Sequence, residues 1–110
     1  MKMDAQMYDE LVQGLLSLLP GQMTQIVLYG STARGTAQPE SDVDIAVFVT
    51  IPITMEQSDR LSALIADLNL KYNKVFSVID IELATYRKWR AVTPFYQHVE
   101  NEGIVLWKAA

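Results

Sequence analysis

The sequence predicts an α/β (α+β) fold in which a small mixed sheet is flanked by helices. Three observations lead there. Stretches with apolar residues at helical spacing alternate with short β-rich runs, in the order α-β-α-β-α-β-α-β. One of those runs, Ile45 to Val49, is apolar on both faces, so its strand is central or covered. Half of the 110 residues are apolar, enough for one core but a small one.

Each element has a local reason. Met7, Leu11, Leu15 and Leu18 recur at helical spacing, and Pro20-Gly21 closes that helix. Gln25 to Tyr29 is a short strand ending at Gly30. Ser31 to Gly35 reads as one or two helical turns with a serine cap, and Thr36 to Ser41, containing Pro39, as a loop. Asp42 to Thr50 is the covered strand, ended by Pro52. Leu61, Leu64, Ile65, Leu68 and Tyr72 form the stripe of a second long helix. Val75 to Leu83 is a third strand. Tyr86 to Glu102 is helical in two pieces broken at Pro94, Gly103 stops it, and Ile104 to Trp107 is a short last strand.

Composition narrows the classes of function. The net charge is -4 and the pI about 4.8, so the basic stripe that duplex DNA requires is missing. There is no cysteine, hence neither a disulfide framework nor a thiolate metal site. The N-terminus has no signal-like pattern and no apolar run approaches a membrane span. The expectation is one cytoplasmic domain over residues 1–110, with no membrane partner.

The informative stretch runs from Leu28 to Val47. Gly30-Ser31 sits between a strand and a helix, and ten residues later Asp42-Val43-Asp44 opens the next strand. Either half alone has an ordinary reading, as a capped turn or a solvated strand start. Together they make a consistent site. Gly30 lets backbone approach a bulky anion, and Ser31 with free N–H groups at a helix start can hold phosphate oxygens. Asp42 and Asp44 point to one side, roughly 6–7 Å apart along the strand. Two carboxylates brought to 4 Å repel by about 4 kcal/mol at an effective dielectric of 20. A divalent cation removes that penalty, and an oxygen-only donor set beside phosphate favours Mg2+ or Mn2+ over zinc. Such a site suits phosphoryl transfer.

Gly30-Ser31, ten residues, then Asp42-x-Asp44 resembles the signature of the polymerase-β-type nucleotidyltransferases, whose small stand-alone members are the minimal nucleotidyltransferases. Arg34-Gly35, Ser41 and Ile45-Ala46-Val47 fit as well. The resemblance is strong over Gln25 to Thr50 and looser from there to Trp107. It implies a nucleotidyltransferase fold and transfer of a nucleoside monophosphate, AMP foremost, from a magnesium–nucleoside triphosphate to an acceptor. It also implies that Asp42 and Asp44 ligate metal and that Gly30 and Ser31 bind the triphosphate. Arg34 can pair with a phosphate or stand as a solvated surface group.

The family places a third carboxylate, the base for the acceptor, on the next strand. Asp80 is the candidate for catalysis and metal binding, Glu82 shares its face, and a different match puts uncharged Val75 at that position. Arg87, Lys88 and Arg90 beside Trp89 read as a solvated helix face or a contact for nucleotide or RNA. His98 reads as a surface residue and Trp107 as packing. Little chain remains to enclose base and acceptor, so either the domain forms a homo-oligomer or another protein completes the cleft. The resemblance points to a helical HEPN-type partner, for which the minimal nucleotidyltransferase acts as antitoxin by adding AMP or by masking. A module that neutralises a partner without chemistry, and a transferase acting on a small molecule or RNA, stay open at this stage.

Overall fold

The computed structural model describes residues 2–38 and 41–110; Pro39, expected in a loop, lies outside them. Helix α1 (Lys2–Leu18) buries Met7, Leu11 and Leu15 of the expected stripe and Val12 beside them, while Leu18 is half-buried. It is followed by β1 (Met23–Tyr29), the short α2 (Gly30–Arg34) and β2 (Val43–Val49). Helix α3 (Met55–Tyr72) leads to β3 (Phe76–Glu82), α4 (Leu83–Trp89), α5 (Pro94–Glu102) and β4 (Ile104–Lys108). The expected break at Pro94 falls earlier. The chain turns at residues 90–93, and Pro94 opens α5 at its first turn, where its missing N–H costs nothing.

The four strands form one mixed sheet in the order β3-β2-β1-β4. β1 lies antiparallel to both β2 and β4, while β2 and β3 are parallel, joined through α3. A parallel pair needs such a crossover, and its start is well defined: the Thr54 hydroxyl accepts from Gln57 N at 3.1 Å while Gln57 Oε1 accepts from Thr54 N at 2.9 Å.

Period-two alternation divides the core between the two faces of the sheet. Ile26, Leu28, Val43, Ile45, Val47, Val49 and Phe76 join the apolar faces of α1 and α3. Val27, Ala46, Phe48 and Ile81 meet Tyr86 of α4 and Val99 of α5. Residues 45–49 are buried throughout because β2 is central and covered on both sides, as the unbroken apolar run predicts. Trp107 packs against the first cluster. Among the described residues no helix is long and apolar enough to cross a membrane.

Gly103 ends α5 for reasons of space rather than handedness. Its φ is -71°, but a Cβ there would fall on the Val99 carbonyl and a Val27 methyl.

Candidate active site

At the end of β1 the chain turns sharply at Gly30, φ +76°, into α2. Tyr29, extended, occupies the N-cap position with no side-chain cap, so Ser31 is not the cap its sequence position suggests. The serine hydroxyl is therefore not consumed in closing the helix. At the far end Gly35, φ +76°, closes the turn, its N–H and that of Thr36 bonding to Thr32 and Ser31 carbonyls at 3.2 and 2.9 Å.

The antiparallel register sets Tyr29 directly across from Asp44, the second residue of β2. This brings the Gly30 turn onto the Asp44 carboxylate: a Cβ on Gly30 would land on Asp44 Oδ2 and lie 3.3 Å from the carboxyl carbon. Two independent constraints thus select glycine at position 30, its left-handed backbone and the carboxylate packed against it. Asp42, just before β2, is exposed, and Asp44 is half-buried. The two lie two residues apart at one strand end.

Electrostatics tie these groups together. Burial, and then the charge of Asp42, push the Asp44 carboxyl above its ordinary range, while Arg34 opposes the shift. Burial and then Asp44 raise the Tyr29 hydroxyl, which stays a protonated phenol at neutral pH. Arg34 is shared, since its Nη1 also meets Glu102 Oε1 of α5 at 3.4 Å. His98, exposed one turn earlier on α5, approaches the same carboxylate at 3.5 Å through Nδ1. Sequence reading gave no hint of Glu102 because 68 residues separate it from Arg34.

Asp80 requires a correction. β3 joins β2 in a register that sets Ser77 beside Asp44 and Asp80 beside Val47. Neighbours across a ladder share a face, so Asp80 belongs with Val47 on the α1/α3 side, opposite to Asp44. It lines a groove there with Leu61, Ser62, Ile65 and Val78. Glu82, beside Val49, shares that wrong face. The β3 positions on the Asp44 face are Ser77, Ile79 and Ile81, and Val75, 52 % exposed, precedes the strand. Among the described residues no group of three or more His, Cys, Asp or Glu side chains could hold a metal ion. The structure brings Gly30, Ser31, Arg34, Asp42 and Asp44 to one end of the sheet and leaves Asp80 away from them.

The two remaining carboxylates still suit a hard cation. Their oxygens are the donor type such an ion prefers, and its charge would offset the burial and the Asp42 charge that raise the Asp44 carboxyl. Sequence reading also passed over Phe95, whose ring stands edge-on to Tyr29 with centroids 5.5 Å apart. Of the basic run, Arg90 pairs with Glu100 and lies over the Tyr86 ring, and Lys88 lies over Trp89.

A glycine turn seated on a strand-end carboxylate, with a second carboxylate two residues before it, lies at one end of a small mixed sheet flanked by helices, the architecture of a nucleotidyltransferase fold. The chain belongs to the nucleotidyltransferase domain family, whose model matches residues 9–102. It is a nucleotidyltransferase by that membership. A Methanocaldococcus jannaschii protein named for protein adenylyltransfer, MJ0141, is 30 % identical over 95 residues, covering 86 % of this chain and 90 % of that protein. A toxin–antitoxin crystal structure with AMP-PNP has a chain of the same fold, with TM-score 0.66, 22 % identity, and 93 % and 73 % of the two chains covered. A complex of a tri-AMPylated Shewanella oneidensis HEPN toxin with MNT antitoxin gives TM-score 0.62 at 19 % identity, covering 96 % of this chain and 72 % of the other.

The raised Asp44 carboxyl has a consequence for stability. The folded protein binds this proton more tightly than the unfolded chain does, so stability falls as pH rises from the ordinary carboxylate range through the folded value. Asp44→Asn should therefore be more stable than wild type at neutral pH without metal. That advantage should shrink toward acid pH and shrink again when Mg2+ is added. Urea melts between acid and neutral pH measure it, and an advantage that does not vary with pH contradicts the electrostatic assignment.

Proposed function

We propose that the chain transfers AMP from ATP to a hydroxyl of a partner protein, with Asp42 and Asp44 holding Mg2+ or Mn2+ and Gly30, Ser31 and Arg34 holding the triphosphate. The observation that carries this reading is the Gly30 turn packed on the Asp44 carboxylate, which sets bare backbone against that acidic group with Ser31 next in the chain. Asp42 and Asp44 would hold the divalent cation, whose charge would offset that of the triphosphate and of the departing pyrophosphate. The acceptor oxygen bonds to the α-phosphorus, and the bond from that phosphorus to the bridging oxygen breaks. Pyrophosphate leaves with the electron pair. Arg34, held from behind by Glu102, stands ready to pair with phosphate charge.

The acceptor reading draws on the relatives: a protein adenylyltransferase by name, and an antitoxin complexed with an AMP-bearing HEPN toxin. The net charge of -4 suits a partner with a basic, RNA-binding surface. On this reading residues 1–110 act as one domain, in the cytoplasm, as such an antitoxin. No β3 carboxylate shares the Asp44 face, so the proton of the acceptor hydroxyl passes to water or to a group on the acceptor itself, and transfer is slow.

Co-expression with the product of the neighbouring gene, followed by intact mass, tests the reading. A helical partner heavier by one or more AMP units, and unmodified with Asp42→Asn/Asp44→Asn, is the expected result. Label from α-labelled ATP appearing only in a small molecule or RNA would replace the protein acceptor. A second test addresses the missing base. Ser77→Asp puts a carboxylate beside Asp44, and should raise the transfer rate by about 10²-fold, the low end of general-base catalysis. An unchanged rate with intact nucleotide binding would show that proton removal does not limit the reaction.

A further inference from the structure

Phe95 is a large apolar side chain left 38 % exposed on a helix whose inward residues are otherwise covered. Its neighbours Tyr96 and Val99 supply the packing of α5, against Tyr86 and against the Val27–Phe48 cluster. Phe95 instead projects to Tyr29, ring centroids 5.5 Å apart and planes at 87°. Tyr96 touches it from its own helix at 5.9 Å and 57°. Two rings therefore fix its orientation while more than a third of its surface stays open.

Its position matters because Tyr29 lies across from Asp44 in the β1–β2 register and feels the charge of that carboxylate. Phe95 is thus one ring removed from the acidic pair. The region is amphipathic in one direction: carboxylates, Ser31 and Arg34 at one end, an open aromatic ring at the other. A ligand with a charged polyphosphate tail and a flat apolar head matches both ends. The Gln97 amide, two residues further along α5, donates to the Ala91 carbonyl at 2.8 Å, so it is not a free reader of a base edge.

We propose that Phe95 is the stacking platform for the nucleobase of the bound nucleoside triphosphate. This rests on the nucleotide site proposed above and adds a residue that determines how the base, rather than the phosphate, is held. Stacking uses the π-face common to all bases, so the platform accepts ATP and GTP alike and favours the larger purines over pyrimidines.

The test uses calorimetry on the full chain with Mg2+ and two ligands, a non-hydrolysable ATP analogue and inorganic tripolyphosphate, which has no base. Phe95→Leu retains apolar bulk for packing but has no ring, and should weaken the analogue about tenfold, near the low end of one base–aromatic stack, while leaving tripolyphosphate unchanged. Phe95→Trp should bind the analogue at least as tightly as wild type. Asp42→Asn/Asp44→Asn should lose both ligands. Wild-type affinity for the analogue in Phe95→Leu overturns the platform and leaves the metal–phosphate site intact. Equal loss of both ligands in Phe95→Leu, with an unchanged melting temperature, also overturns it, since the residue then shapes the phosphate site. Wild type binding neither ligand removes the site and the platform together.

Discussion

Everything at the active end of this protein depends on one close approach, the backbone of Gly30 against the carboxylate of Asp44. It exists because β1 and β2 pair antiparallel with Tyr29 opposite Asp44, so the turn leaving one strand closes over the second residue of the other. A side chain at Gly30 would push the carboxylate away and demand a backbone conformation that L-residues rarely adopt. The same approach half-buries Asp44 and sets Tyr29 beside it. The buried β-sheet is thereby coupled to the chemistry: the apolar run Ile45 to Val49 anchors β2, and the residues just before it are delivered at a fixed height.

This placement works against stability. The Asp44 carboxyl stands above its ordinary range, because burial and Asp42 both oppose its charge and Arg34, drawn also to Glu102, compensates only in part. A fold selected for stability alone would not set two like charges at one strand end. The mismatch is what the proposed site, completed by a cation and an anionic substrate, would relieve.

Much of this was legible in the sequence. The helical stripes of α1 and α3, the covered strand β2 and the Gly30-Ser31…Asp42-x-Asp44 spacing are local patterns, and local patterns survive folding when the core confirms them. What stayed hidden depends on pairing between distant elements. β3 has apolar residues on both faces, Phe76 and Val78 on one and Ile79 and Ile81 on the other, so its pattern does not fix which face Asp80 takes. Only the ladder with β2 settles that, and a slip of one residue would reverse it. The Arg34–Glu102 and Tyr29–Phe95 contacts are products of α5 docking across the sheet and left no local trace. Ser31 looked like a cap because caps are read by residue type, yet the turn at Gly30 starts the helix one position earlier.

In the proposed site Asp42 and Asp44 hold the metal without help from Asp80. Crystals grown with Mn2+ and a non-hydrolysable ATP analogue address it directly through the anomalous signal of manganese. The expected result is a peak between the Asp42 and Asp44 carboxylates, with the triphosphate laid along Gly30 and Ser31. A peak in the groove beside Asp80, or none between the two aspartates, would contradict it.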